Sequence, residues 1–290
     1  MLDANTFKNN EVSNQLNQSF INFKINAESN YGKKLFSEYN GTAYPLILFL
    51  DQNKNEIDRF YGFYEPKEFL EKLNVILEGN NTFPNLVQQY ELGDRSAETV
   101  SLLAKKYADR GETINALELY KMLLKSKNVS HLQFHEAQYY IAVQLLWEKG
   151  PNSLEIYINK SPDSPFLKDA VYQLLAYYSN NNQLENEIMC YNKYILIFSN
   201  DAHFLNGYAW RMTELNTNLQ NALEKVNIAL ELLDNSDSQY ANILDTKAEI
   251  LWKMGDSQEA ILIINQALKL NPQNIYYNEQ KSKFLNSIIN

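Results

Sequence analysis

The chain has 290 residues, of which 45% are hydrophobic and 21% are charged, a balance typical of globular proteins and long enough for two domains. Its net charge is −9 with no stripe of lysines and arginines, which argues against a nucleic-acid partner because phosphate binding needs clustered cations. No apolar run reaches the roughly 18 residues of a membrane-spanning helix. The first residues also lack the basic start and apolar core of a signal peptide.

The first elements are predicted from periodicity near the N-terminus. Val12, Leu16 and Phe20 have helical spacing and predict a short helix. From residue 20 to residue 25 apolar and polar residues alternate, which predicts a strand with one buried face.

A more strongly apolar segment covers residues 42–51 and predicts a buried strand that begins at an X-Pro bond, Tyr44–Pro45. A turn and a second strand near Glu56–Tyr61 follow it. A helix is then predicted to open at Pro66, since proline fits the first turn of a helix.

This order of elements resembles the C-terminal part of the thioredoxin fold, with Pro45 in the place of the family's cis-proline. The resemblance implies that Tyr44 presents its backbone to a partner peptide. The family's proline faces a Cys-x-x-Cys pair, but Cys190 is the only cysteine of this chain. The resemblance therefore implies a partial, redox-inactive thioredoxin-like domain over residues 1–79. One hypothesis places the cysteine pair upstream of Met1, and the alternative is a degenerate domain in which Pro45 simply begins a strand.

After a linker or helix at residues 80–93 the pattern changes to paired amphipathic helices, which continue from 94 to 290. In the last pair, Ala248, Gly255, Ala260 and Pro272 fall at the small, turn, small and terminator positions of a tetratricopeptide repeat. Looser copies of the pattern lie at residues 103–120, 142–164, 178–194 and 210–229, and a final helix over 276–289 is predicted to cap the array. The predicted fold is thus α/β followed by all-α, a partial thioredoxin-like fold plus a tetratricopeptide-type α-solenoid.

The resemblance to tetratricopeptide repeats implies a protein or peptide partner held in a concave groove. The repeat register places six candidate groove residues there: Lys105, Asp109, Tyr172, Arg211, Asp245 and Glu249. Their mixed charges do not resemble the Lys/Asn clamp with which some of these repeats hold a terminal carboxylate.

Two histidines, His131 and His135, share a helical face and have the spacing of zinc ligands. A third ligand is missing from the neighbouring sequence, so we predict exposed histidines and no metal. The sequence contains neither a glycine-rich phosphate loop nor a nucleophile elbow. We therefore predict no catalytic residue and no cofactor.

Two classes of function follow. The chain is predicted to be a protein-interaction scaffold of thioredoxin-like and tetratricopeptide type. The alternative is a truncated thiol–disulfide oxidoreductase whose cysteine pair lies upstream. The sequence fixes neither the compartment nor the oligomeric state. The resemblance implies a bacterial, exported or periplasmic protein, with the cytoplasm as the alternative.

Overall fold

The computed structural model describes residues 2–3 and 5–289, and within them the fold is helical apart from one two-stranded sheet. A 3₁₀ helix at Thr6–Lys8 precedes helices α1 Asn10–Ser19 and α2 Asn30–Glu38, strands β1 Leu46–Leu50 and β2 Glu56–Tyr61, and helices α3 Pro66–Glu78 and α4 Phe83–Glu91. The later helices are α5 Ala97–Asp109, α6 Thr113–Leu123, α7 His131–Lys149, α8 Asn152–Lys160, α9 Leu167–Asn180, α10 Leu184–Tyr194, α11 Ala202–Glu214, α12 Leu219–Glu231, α13 Tyr240–Lys253, α14 Ser257–Leu270 and α15 Ile275–Ile289. The chain forms two compact units, Met1–Gln173 and Leu174–Asn290.

The predicted strands β1 and β2 are confirmed and form an antiparallel hairpin in which Leu46 pairs with Tyr61. Aromatic residues of the hairpin, Phe49 and Phe60, are buried against Phe69 of α3 and Val12 of α1. The predicted helix at Pro66 is also confirmed. The hairpin core is therefore closed by helices on its apolar side.

The predicted strand over residues 20–25 is wrong. Phe20 ends α1 and packs on Phe49 with the ring centroids 5.2 Å apart, but Ile21 and Phe23 are 85% and 83% exposed. Within residues 2–3 and 5–289 the sheet has only β1 and β2. In the described part of the chain no other strand pairs with this segment, and a strand forms only where a neighbour satisfies its backbone.

Five helical hairpins follow α4, namely α5–α6, α7–α8, α9–α10, α11–α12 and α13–α14, at the places where the sequence predicts repeats. Small residues are completely buried on their helices: Ala104, Ala116, Ala222, Ala248 and Ala260. A methyl side chain lets two helix axes approach closely, which explains why alanine marks these positions.

The last hairpin shows how the sequence fixes its turn. Gly255 has a φ of +91°, a conformation that L side chains rarely adopt, and so it ends α13. The side chain of Asp256 then accepts a hydrogen bond from the backbone nitrogen of Glu259 at 3.0 Å and caps α14. Helix α15 buries Tyr277 and Phe284 in the apolar cluster of α13 and α14, so the predicted C-terminal helix is confirmed as a cover for that cluster.

Candidate functional site

A polar face is formed in the first unit where α5 contacts α7, the first helices of two successive hairpins. Ser101, Lys105 and Asp109 follow one another at intervals of one turn along α5, and such residues share a helix face. The Ser101 hydroxyl donates a hydrogen bond to a carboxylate oxygen of Glu136 on α7, at 3.3 Å. We call these four residues the α5–α7 polar face.

Burial is the main influence on the two carboxyl groups of this face, those of Asp109 and Glu136. Burial raises the pKa of Asp109, and the nearby cations, Lys105 first among them, oppose that rise. Burial likewise raises the pKa of Glu136, again opposed by Lys105 and by the hydrogen bond from Ser101. The exposed Lys105 is therefore shared between two partly buried carboxyl groups, one on α5 and one on α7.

Buried ion pairs join β2 to α5 behind this face. Asp58, 2% exposed, pairs with Lys106, and the Arg110 guanidinium lies 2.5 Å from a Glu56 oxygen and 3.7 Å from an Asp58 oxygen. That guanidinium also stacks over the ring of Phe83 at 3.8 Å. We call Glu56, Asp58, Lys106 and Arg110 the β2–α5 ion network. It anchors the strand hairpin to the first repeat hairpin.

Sequence reasoning missed this network because its partners are 48 positions apart, as for Lys106 and Asp58. The available signal was the charged pair Asp58-Arg59 in the middle of β2, whose first residue, Glu56, is also charged. Charged residues are seldom buried without partners, so such a pair predicts cations and anions on a neighbouring element.

In the second unit the predicted groove residue Arg211 of α11 forms an ion pair with Glu187 of α10. Its guanidinium donates hydrogen bonds to both carboxylate oxygens of Glu187, at 2.7 and 2.9 Å, and one to Glu214 at 3.0 Å. Glu187 is 2% exposed and occupies the position where the repeat pattern has alanine. The hydrogen bonds from Arg211 to Glu187 raise the pKa of Arg211, so the guanidinium stays charged.

Asp245 and Glu249 of α13 are buried against α15. Gln280 donates hydrogen bonds to Glu249 at 3.2 Å and to the Tyr276 hydroxyl at 2.8 Å, and Lys283 pairs with Glu249. Burial, followed by repulsion from Glu249, raises the pKa of Asp245 to about 6. Both predicted groove residues therefore contact the chain's own last helix.

The other predicted site residues, Tyr44, Pro45 and Tyr172, lie outside the α5–α7 polar face. Tyr44 is 59% exposed and packs on Phe36 with ring centroids 4.4 Å apart. The Tyr44–Pro45 peptide bond is cis, and the Pro45 carbonyl accepts a hydrogen bond from the Gly62 nitrogen at 3.0 Å. Tyr172 is half-buried on α9. Of the predicted groove residues, the α5–α7 polar face brings together Lys105 and Asp109.

The expectation that both paired histidines are exposed is wrong for one of them. His131 is exposed at the start of α7, but His135, one turn later, is only 6% exposed.

The single cysteine, Cys190, is buried and not in a disulfide. Among the described residues, none of the helices combines the length and the apolar character needed to cross a bilayer.

Comparison with known proteins identifies one of the hairpins. The tetratricopeptide repeat family model matches residues 241–274, which contain nearly all of α13 and all of α14. No curated protein matches the chain.

Three solved structures are similar at low identity. The tetratricopeptide repeat protein YrrB, described as having an unusual peptide-binding site, is 14% identical, with 68% of this chain and 97% of that chain covered and a TM-score of 0.48. BtubC from P. vanneervenii is 14% identical, with 60% and 79% covered and a TM-score of 0.47. The quorum sensor NprR from B. thuringiensis, in its apo form, is 13% identical, with 76% and 66% covered and a TM-score of 0.45. The match of the family model to α13 and α14 falls on the hairpin where the sequence predicts the clearest tetratricopeptide repeat.

Proposed function

We propose that the chain is a protein-interaction scaffold whose α5–α7 polar face binds a peptide segment carrying a lysine or arginine side chain. The observation that carries this proposal is the pair of partly buried carboxyl groups, Asp109 and Glu136, which share the exposed Lys105. A cationic side chain placed between them gains charge-assisted hydrogen bonds in a partly desolvated site. Such bonds are stronger than those of exposed ion pairs.

Residues 1–79 have a supporting role in this proposal. The antiparallel β1–β2 hairpin followed by α3 supports a partial thioredoxin-like domain here, without the strand predicted at residues 20–25. In this proposal residues 80–93 are the connection and residues 94–290 are the repeats. The β2–α5 ion network attaches this region to the first repeat hairpin. It thereby serves as a cap, and with a single cysteine the chain performs no dithiol exchange of its own.

The test begins with a selection of random peptides displayed on phage against the full chain. Enriched peptides are then labelled and measured by fluorescence anisotropy. We expect enrichment in lysine and arginine. We also expect Glu136→Gln and Asp109→Asn each to weaken binding by about tenfold, the equivalent of roughly 1.4 kcal/mol for one charge-assisted bond. Glu118→Gln, the same substitution at an exposed position of α6, is the matched control and leaves binding unchanged.

A further variant tests whether Lys105 and the peptide compete for the same carboxyl groups. Lys105 competes with the peptide's cation for the two carboxyl groups, so Lys105→Ala should strengthen the binding of basic peptides. Enrichment of acidic peptides would contradict the proposal, as would equal binding by Glu136→Gln and Glu118→Gln.

A further inference from the structure

Three metal-ligating side chains meet at the start of α7. The Nε2 atoms of His131 and His135 are 3.0 Å apart, and Nε2 of His131 is 3.5 Å from a carboxylate oxygen of Asp163 in the turn after α8. One ligand atom from each of the three residues lies within 4.8 Å of the others. Sequence inspection found only the histidines, because Asp163 is 28 positions beyond His135 and joins them only through the α7–α8 hairpin.

The spacing of these atoms suits a tetrahedral metal ion. Zinc binds imidazole nitrogen and carboxylate oxygen at about 2.0–2.2 Å, which places neighbouring ligand atoms of a tetrahedron about 3.3 Å apart. Two of the three separations, 3.0 and 3.5 Å, lie on either side of this value. The third, between His135 and Asp163, is within 4.8 Å, so a small ion needs rotation of the exposed Asp163 side chain to reach all three ligands.

His135 is the buried member of this ligand set. It is 6% exposed, and its Nδ1 atom is buried with no hydrogen-bond partner in the described part of the chain. Its Nε2 atom lies 3.0 Å from Nε2 of His131 and is the nitrogen that it offers to the ion.

The turn that carries Asp163 is fixed to α7 by hydrogen bonds. The Tyr157 hydroxyl donates to the His135 carbonyl at 3.3 Å and lies 2.5 Å from the Ser164 hydroxyl. The Ser164 hydroxyl oxygen in turn accepts a hydrogen bond from the Phe166 nitrogen at 3.0 Å. A ligand set held in this way loses little conformational entropy when an ion binds.

We propose that His131, His135 and Asp163 bind one divalent transition-metal ion, best matched by Zn²⁺, with water at the fourth position. The side chains of His131 and Asp163 are 60% and 74% exposed, which gives the ion a path from solvent. The carboxylate is essential here, because the helix N-terminus is positively polarised and imidazoles carry no negative charge. This proposal is independent of peptide binding at the α5–α7 polar face.

The test uses the full chain, purified without a polyhistidine tag and stripped with EDTA. Zn²⁺ is titrated by calorimetry, and Co²⁺ by its visible absorption, which reports tetrahedral coordination. We expect one ion per chain, and we expect His131→Gln and Asp163→Asn, both at exposed positions, each to weaken the affinity by at least about tenfold. The chain has three histidines, and the third, the exposed His203 of α11, supplies the control His203→Gln, which keeps wild-type affinity.

A pH series adds a second readout. Because protons compete for the imidazole nitrogens, the affinity should fall as the pH is lowered from 7.5 to 5.5. The proposal is overturned if the stripped chain binds no ion, if His131→Gln binds as tightly as the wild type, or if His203→Gln weakens binding as much as Asp163→Asn does. Circular dichroism of each variant shows that its helices are intact before the titration is interpreted.

Discussion

The β2–α5 ion network makes the substitution Asp58→Ala a sharp test of how the strand hairpin is held. Asp58 is 2% exposed, and its loss leaves Lys106 without its partner. Arg110, which is 4% exposed, then keeps Glu56 as its only carboxylate in the network. Removing one member of a buried ion pair costs about 3–5 kcal/mol. Because Glu56, which also pairs with Arg59, still lies beside Arg110, we expect a loss near the lower end, about 3 kcal/mol in the free energy of unfolding of the first unit.

The assay is hydrogen–deuterium exchange read by mass spectrometry, together with thermal unfolding. For a unit of this size a change of 1 kcal/mol moves the midpoint by about 2–4 °C, so the expected shift is about 6–12 °C. Exchange should rise in β1, β2 and α5 and stay unchanged in α13 and α14, which belong to the other unit.

The control is Asp3→Ala, which removes an ion pair with Lys24 whose two side chains are 61% and 79% exposed. Exposed pairs contribute little, so this variant should unfold like the wild type. The Asp58–Lys106 coupling is measured by the double-mutant cycle of Asp58→Ala and Lys106→Met, with an expected value of about 1–3 kcal/mol. Additive effects in the cycle, or unchanged exchange in β2 of Asp58→Ala, would refute the reasoning.

Three further predictions concern the second unit. Burial raises the pKa of Asp245 to about 6, whereas a value of about 3.9 is expected in the unfolded chain. The folded chain therefore binds the proton more tightly, and the resulting stabilisation is complete below about pH 4 and is lost as the pH rises through 6. Asp245→Asn should therefore raise the free energy of unfolding by about 2–3 kcal/mol at pH 7.5 and change it little at pH 4, and urea titrations that show no pH dependence would contradict this. Arg211→Ala should lower the free energy of unfolding by about 3 kcal/mol in a urea titration, because Glu187 stays buried without its main cation. The double variant Arg211→Ala, Glu187→Ala should recover most of this loss. A double variant as unstable as the single one would exclude this cause. Gly255→Ala should lower the melting temperature, at a cost of about 1 kcal/mol in stability, because Gly255 has a positive φ. Gly207→Ala, inside α11, should raise the melting temperature because alanine favours a helix more than glycine does. A change of the same sign in both variants would rule out the backbone explanation.

The repeat hairpins were predictable because their signals are local. Alanine at 116 and at 260 marks close helix crossings, and glycine at 255 marks a turn, so a short stretch of sequence specifies each hairpin. The family model that matches residues 241–274 detects the same pattern. The strands β1 and β2 were predictable for a similar reason, since they are adjacent in sequence.

Long-range pairing was not predictable from one sequence. The segment at residues 20–25 alternates as a strand does, but strand formation needs a partner, and periodicity does not report one. Glu187 departs from the repeat pattern, and its compensation by Arg211 lies 24 positions away. The candidate sites share this property, since Glu136 joins Ser101, and Asp163 joins His131, only after the helices pack.

The central claim is that a basic peptide binds to the α5–α7 polar face, and an NMR chemical-shift map of the isotope-labelled chain with a selected peptide tests it most directly. We predict that the largest shifts fall on Ser101, Lys105, Asp109 and Glu136, and that the signal of Glu118 on α6 does not shift. Shifts concentrated on α6, or on Tyr44 and Pro45 with none on α5 and α7, would contradict the account.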